Sequence, residues 1–162
     1  MSLRIRIATA LACFVPLIAI GEISDQDLEY YFGESAAYRE VFEKVQSTIA
    51  NDDRQGFAAL VHYPFTIYRE KEECCGSEAV DTVEDSAEFV ERFDEIVTPA
   101  IRKIILKQKF DDLILNWRGL GFDLGTVWIV GYCVSGDDAD PCQESVVRIK
   151  SVLTDSAKDV SE

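Results

Sequence analysis

Apolar residues recur at steps of three and four in the segment that follows Ser24: Leu28, Tyr31, Phe32, Tyr38, Val41, Phe42, Val45 and Ile49. That period places them on one stripe of a helix running from about Asp27 to Ala50. Ser24-Asp25 supplies its N-terminal cap, and Gly33 interrupts the stripe, so the helix bends or divides there. Asn51-Asp52-Asp53 starts a second short turn that carries Phe57, Leu60 and Val61 inward. The period then drops to two. His62-Tyr63-Pro64-Phe65-Thr66-Ile67-Tyr68 alternates as a strand, and Pro64, with no N–H to donate, puts it at a sheet edge or marks a bulge. The polar stretch Glu70 to Ser77 reads as an excursion between two strands, with Val80 to Val83 as the short return.

Asp85 with Glu88 three residues later has the capping-box pattern, and Phe89, Val90, Phe93 and Ile96 give the following helix an apolar face. Thr98 before Pro99 opens the next helix, whose buried side is Ile101, Ile104 and Ile105. Leu113-Ile114-Leu115, Thr126 to Cys133 and Ser145 to Leu153 are strands joined by turns rich in Gly and Asp, so neighbours are expected to pair antiparallel. A hairpin is built around Trp117-Arg118-Gly119-Leu120-Gly121 and Gly125-Thr126-Val127-Trp128-Ile129. Its glycines are spaced GxGxxxG between strands, which fails the dinucleotide fingerprint because no helix follows. They mark positions where the backbone needs positive φ or close approach.

The order helix, strand pair, two helices, three strands implies an α+β domain, with helices packed on one face of a strongly curved antiparallel sheet. Three stretches carry a family likeness: Phe57-Ala58-Ala59-Leu60-Val61-His62-Tyr63-Pro64-Phe65, Ser86 through Ile101, and the Trp117–Phe122 and Gly125–Ile129 hairpin. In these the chain resembles small exported bacterial proteins of the nuclear transport factor 2-like superfamily, over most of its mature length. The resemblance implies a cystatin-like cone with an internal cavity lined by helices, and a homodimer formed through the open face of the sheet. It implies no single activity, because that cavity hosts isomerases, dehydratases and inert binding modules. The cysteines and the acidic excursion at residues 70–78 depart from the family pattern and point to a reshaped cavity mouth.

Composition adds the compartment. Arg4 and Arg6 precede an uncharged apolar run from Ile7 to Ile20, and Ala19-Ile20-Gly21 offers small residues before a cut at Glu22. This is the pattern of a signal peptide over residues 1–21, too short for a comfortable membrane span. A single domain over 22–153 and a polar tail over 154–162 follow, with a periplasmic or secreted location. The formal charge is −14, and loss of Arg4 and Arg6 with the leader makes it −16. Such a surface repels phosphate backbones and anionic lipids, so nucleic acid and membrane insertion are excluded as expectations, while a basic protein partner is electrostatically allowed.

Cys13 leaves with the leader, and Cys74, Cys75, Cys133 and Cys142 remain, an even number that in an exported chain points to disulfides. A Cys133–Cys142 bridge would staple the loop between two strands, leaving Cys74 and Cys75 bridged to each other or free. The rival arrangement pairs each of them with one of the later two. Adjacent cysteines do not offer CxxC spacing and His62 is the only imidazole, so no metal site is expected. Gly136-Asp137-Asp138-Ala139-Asp140 lacks the ligand alternation and distal glutamate of a calcium loop and reads as solvated.

The expected function is binding or interaction without catalysis, through a hydrophobic cone cavity or the sheet face, with a small apolar ligand and no cofactor. The cavity is expected to be lined by Phe42, Phe89, Phe93, Trp117, Arg118 and Trp128 and entered beside His62. Arg118 would hold an anion there or pair with a surface acid. Two other readings stand beside it. One is a periplasmic immunity or inhibitor protein, whose negative charge would steer a basic cell-envelope toxin. The other is a small lyase or isomerase with His62 or Tyr63 as the acid/base residue beside a carboxylate.

Overall fold

The structure is a computed structural model that describes residues 23–33, 35–71, 76–135 and 144–154. The helical stripe divides at Gly33, one of the two outcomes expected there, into α1 (Asp25–Phe32) and α2 (Ala36–Ala50), and Gly33 ends α1 at φ +77°. Ser24 caps α1, accepting from the Asp27 amide while the Asp27 carboxylate accepts from the Ser24 amide. The break turns Tyr31 outward but keeps Phe32 stacked on Tyr38, with ring centroids 4.5 Å apart. A short helix α3 (Arg54–Ala59), capped by Asp53, then drives Phe57 into the core and leads into β1 (Val61–Glu70).

β1 and β2 (Ser77–Val83) form the expected antiparallel pair around the polar excursion. Asp85 caps α4 (Ser86–Glu91) through the Ala87 and Glu88 amides, while the Glu88 carboxylate reaches the Glu84 amide. The helix expected to run on to Ile96 is interrupted at Arg92, which separates α4 from α5 (Phe93–Ile96). Thr98 caps α6 (Pro99–Lys107), and Phe110–Asp112 makes a 3-10 turn before the remaining strands. These are β3 (Ile114–Asn116), β4 (Gly119–Phe122), β5 (Val127–Ser135) and β6 (Glu144–Thr154), so the glycine stretch itself contributes a strand.

The six strands form one open sheet in the order β2-β1-β6-β5-β4-β3, with the helices against it. Every pair is antiparallel except β1 with β6, which run parallel and correct the all-antiparallel expectation. The reason is topological. The chain makes a hairpin, crosses in helices, and returns as a meander of four strands whose last member closes on the first strand. Pro64 lies on a strand with neighbours on both sides, not at an edge. It marks instead the irregular stretch where β1 advances from Val61 to Thr66 while β6 advances only from Ile149 to Ser151.

The core sits between the helices and one face of the sheet. Phe57 stacks on Phe89 at 5.9 Å and meets Phe93 edge-on at 5.6 Å, and Phe65 meets Phe89 at 5.3 Å. A second cluster stacks Phe42 on Phe122 at 5.4 Å. Such pairs add about 0.5–1.5 kcal/mol each beyond burial itself. The Gln46 amide donates to the Ile105 and Gln108 carbonyls, both at 2.8 Å, and the Gln108 side-chain oxygen accepts from the Asp123 amide at 2.9 Å. That chain of bonds ties the helix layer to the β4–β5 turn.

Candidate functional site in the open face of the sheet

Among the described residues, strand alternation leaves one face of the sheet without helices. Along β5, Val127 and Ile129 are buried toward the helices, and Trp128 and Val130 face away. Register carries this across the strands: Trp128 pairs with Ser151 on β6, Ser151 with Thr66 on β1, and Leu153 with Tyr68. A groove of about 410 Å³ runs along this face, lined by Tyr68, Trp128, Val130, Ser151 and Leu153, with Leu124, Arg118, Lys150 and Glu70 around it. Its size lies within the ordinary range for small-molecule sites.

The floor is built by glycine. Trp128 lies over β4, where a methyl group placed on Gly121 would come within 3.3 Å of its ring carbons. Gly125, at φ +94°, would bring a Cβ 3.0 Å from the indole nitrogen. Gly119, at φ +141°, faces the Ile129 carbonyl so closely that a Cβ would collide with it. Two of the three glycines thus meet the expected need for positive φ, and Gly121 provides the close approach.

The groove has two unlike ends. Arg118 adjoins Gly119, whose backbone lies against Val130, and Lys150 lies on the same stretch of β6, between Ile149 and Ser151. At the other end Leu153 donates its amide to the Thr126 carbonyl beside Leu124 and Gly125, and Leu124 is 88% exposed. Among the described residues neither Arg118 nor Lys150 forms an ion pair with a carboxylate, although the protein carries 30 acidic side chains. The Arg118 guanidinium instead rests 4.9 Å from the centroid of the Trp117 ring, itself 75% exposed. Ser151 is a buried polar residue that lines the groove.

Of the six residues expected to line a cavity, Trp128 and Arg118 line this groove. Trp117 stands outside it, and Phe42, Phe89 and Phe93 are packed among other rings on the opposite side of the sheet. The groove thus opens on the face of the sheet away from Phe42, Phe89 and Phe93, which corresponds to the sheet-face alternative of the expected binding surface. Tyr68, Leu124, Lys150, Ser151 and Leu153 were missed. For the four strand residues the signal is the outward half of each strand's alternation, which marks a face without saying that the face is concave, and Leu124 lies in the turn between β4 and β5.

His62 and Tyr63 are not brought together for proton transfer. The His62 ring stacks on Tyr132 at a centroid distance of 3.7 Å and 10° between planes. Gly131 faces the Tyr38 hydroxyl, so Tyr132 faces the open side, two residues beyond Val130 and past the cationic end of the groove. Tyr63 donates its hydroxyl proton to the Ala58 carbonyl at 3.0 Å. Burial, and then the charge of Asp85, push its pKa well above the usual phenol range. Cys133 lies near the outer end of β5, while Cys74, Cys75 and Cys142, the signal segment, the Gly136–Asp140 loop and the tail from 155 lie outside the described residues. No family model, no curated protein and no solved structure matches this chain.

Proposed function

We propose that this chain is an exported, non-enzymatic binding protein of nuclear transport factor 2-like architecture, whose ligand site is the groove on the open face of its sheet. The observation that carries this reading is Trp128, an indole held over glycines in a concavity of about 410 Å³ that Tyr68 and Leu153 also line. An aromatic floor beside polar and charged side chains suits retention of a small molecule with an apolar body. Catalysis is not favoured, because His62 is stacked, the Tyr63 proton is committed to a backbone carbonyl, and neither lines the groove.

The test uses the fluorescent probe 8-anilinonaphthalene-1-sulfonate on the folded protein. Saturable binding to the native chain, lost in Trp128→Ala while circular dichroism stays native, supports the site. Binding that is unchanged in Trp128→Ala removes it.

A further inference from the structure

We infer that the ligand of this groove is an amphipathic organic anion, its apolar body on Trp128 and its acidic headgroup between Arg118 and Lys150. The inference rests on the binding reading above and adds the class of ligand. Its basis is the groove's polarity. The β4–β5 register sets Arg118 toward the Val130 end and the β5–β6 register sets Lys150 between Ile149 and Ser151, beside Trp128, while Leu124, Gly125, Tyr68 and Leu153 lie toward the opposite end. Glu70 lies with that second end, where it pairs with Ser77 at the far limit of β1. A carboxylate there repels an anionic headgroup and so favours one orientation of the ligand.

Charge gives the second argument. The chain carries 30 acids against 16 bases, so two cations facing one aromatic groove without a carboxylate partner among the described residues stand against the trend of the surface. Each guanidinium or ammonium offers donors suited to a carboxylate, sulfonate or phosphate. Ser151, which pairs with Trp128 across β5 and β6, also lines the groove. A second copy of this chain is a poorer occupant, since two bodies of formal charge −14 repel one another.

Two probes that share an arylnaphthylamine body separate the class of ligand from the site. 8-Anilinonaphthalene-1-sulfonate carries the anion, and N-phenyl-1-naphthylamine does not. The expected result is tighter binding of the sulfonate, weakened about three- to tenfold by Arg118→Gln and by Lys150→Gln. Neither substitution should alter the affinity for the neutral probe. Raising NaCl from about 10 mM to about 1 M should weaken only the sulfonate. Equal affinity for both probes, lost in Trp128→Ala but indifferent to Arg118→Gln and Lys150→Gln, would overturn the anion assignment and leave the binding site standing. Sulfonate binding indifferent to Trp128→Ala would overturn both. A native protein that sediments as a dimer and dissociates on Trp128→Ala would give the groove to a second copy and end the proposal.

Discussion

The indole of Trp128 lies so close over Gly121 that a single methyl group added there would stand 3.3 Å from two of its ring carbons. The β4–β5 pairing aligns these two residues, and it is the absence of a side chain on β4 that allows the aromatic floor. Gly121→Ala is therefore expected to cost about 1 kcal/mol through overpacking, and to lift the indole and weaken probe binding. Gly119→Ala is a different case, because it forces φ +141° on a side chain aimed at the Ile129 carbonyl. It is expected to cost at least about 2 kcal/mol. Urea denaturation of the two variants checks the ranking, and a Gly119→Ala protein as stable as Gly121→Ala would refute it.

Phe89 touches Phe57, Phe65, Phe93 and Tyr63 and is fully buried. Phe89→Ala is expected to destabilise the fold by about 3–5 kcal/mol. Trp117→Ala, on an exposed turn, should stay within about 0.5 kcal/mol of the parent. Thermal unfolding distinguishes them: comparable losses would mean that the Trp117 turn is covered in solution.

Arg92 joins the hairpin to the helices, bonding Asp81 on β2 at 2.5 Å, Glu88 at 3.1 Å and Glu95 at 2.8 Å. The hydrogen bonds from Arg92 hold the carboxyls of Asp81 and Glu95 below their ordinary values of 3.8 and 4.5. Their folded values are depressed, so the stability they contribute is present above those ordinary values and is lost as pH falls through the folded ones. Arg92→Gln should lower the melting temperature at neutral pH and match the parent near pH 2. A deficit that persists undiminished in acid would show that the loss comes from packing of the Arg92 stem.

His62 and Tyr132 are expected to be coupled by about 0.5–1.5 kcal/mol in a double-mutant cycle of His62→Ala and Tyr132→Ala, as for a stacked ring pair. His62→Ala should leave probe binding in the groove unchanged. Loss of binding in that variant would place the ligand over the stack instead.

The loop between Cys133 and Cys142 is expected to be closed by a disulfide, stabilising the fold by about 2–3 kcal/mol for a loop of that length. Proteolytic mapping without reduction should recover peptides bearing these two cysteines as one species. Recovery of Cys133 linked to Cys74 or Cys75 would favour the rival connectivity.

Much of the fold was legible in the chain. Helical steps from Leu28 to Ile49, the Asp85 and Thr98-Pro99 starts and the alternation in β1, β5 and β6 are local properties, decided by side-chain period and capping within a few residues. The glycine stretch could be assigned to turns and close approach for the same reason, since φ is a property of one residue. What residues 119, 121 and 125 approach was not local: that Trp128 would be laid over them depends on the register of β4 with β5. Nor could sequence decide that β1 and β6 run parallel, because their pairing joins residues more than eighty positions apart. Which aromatic residues line the groove was not local either. Aromatic character alone does not distinguish Phe89, which fills the layer beneath the helices, from Trp128, which floors a groove on the other side of the sheet. Only the packing of helices against one face settles which rings are sealed from water and which remain free to meet a ligand.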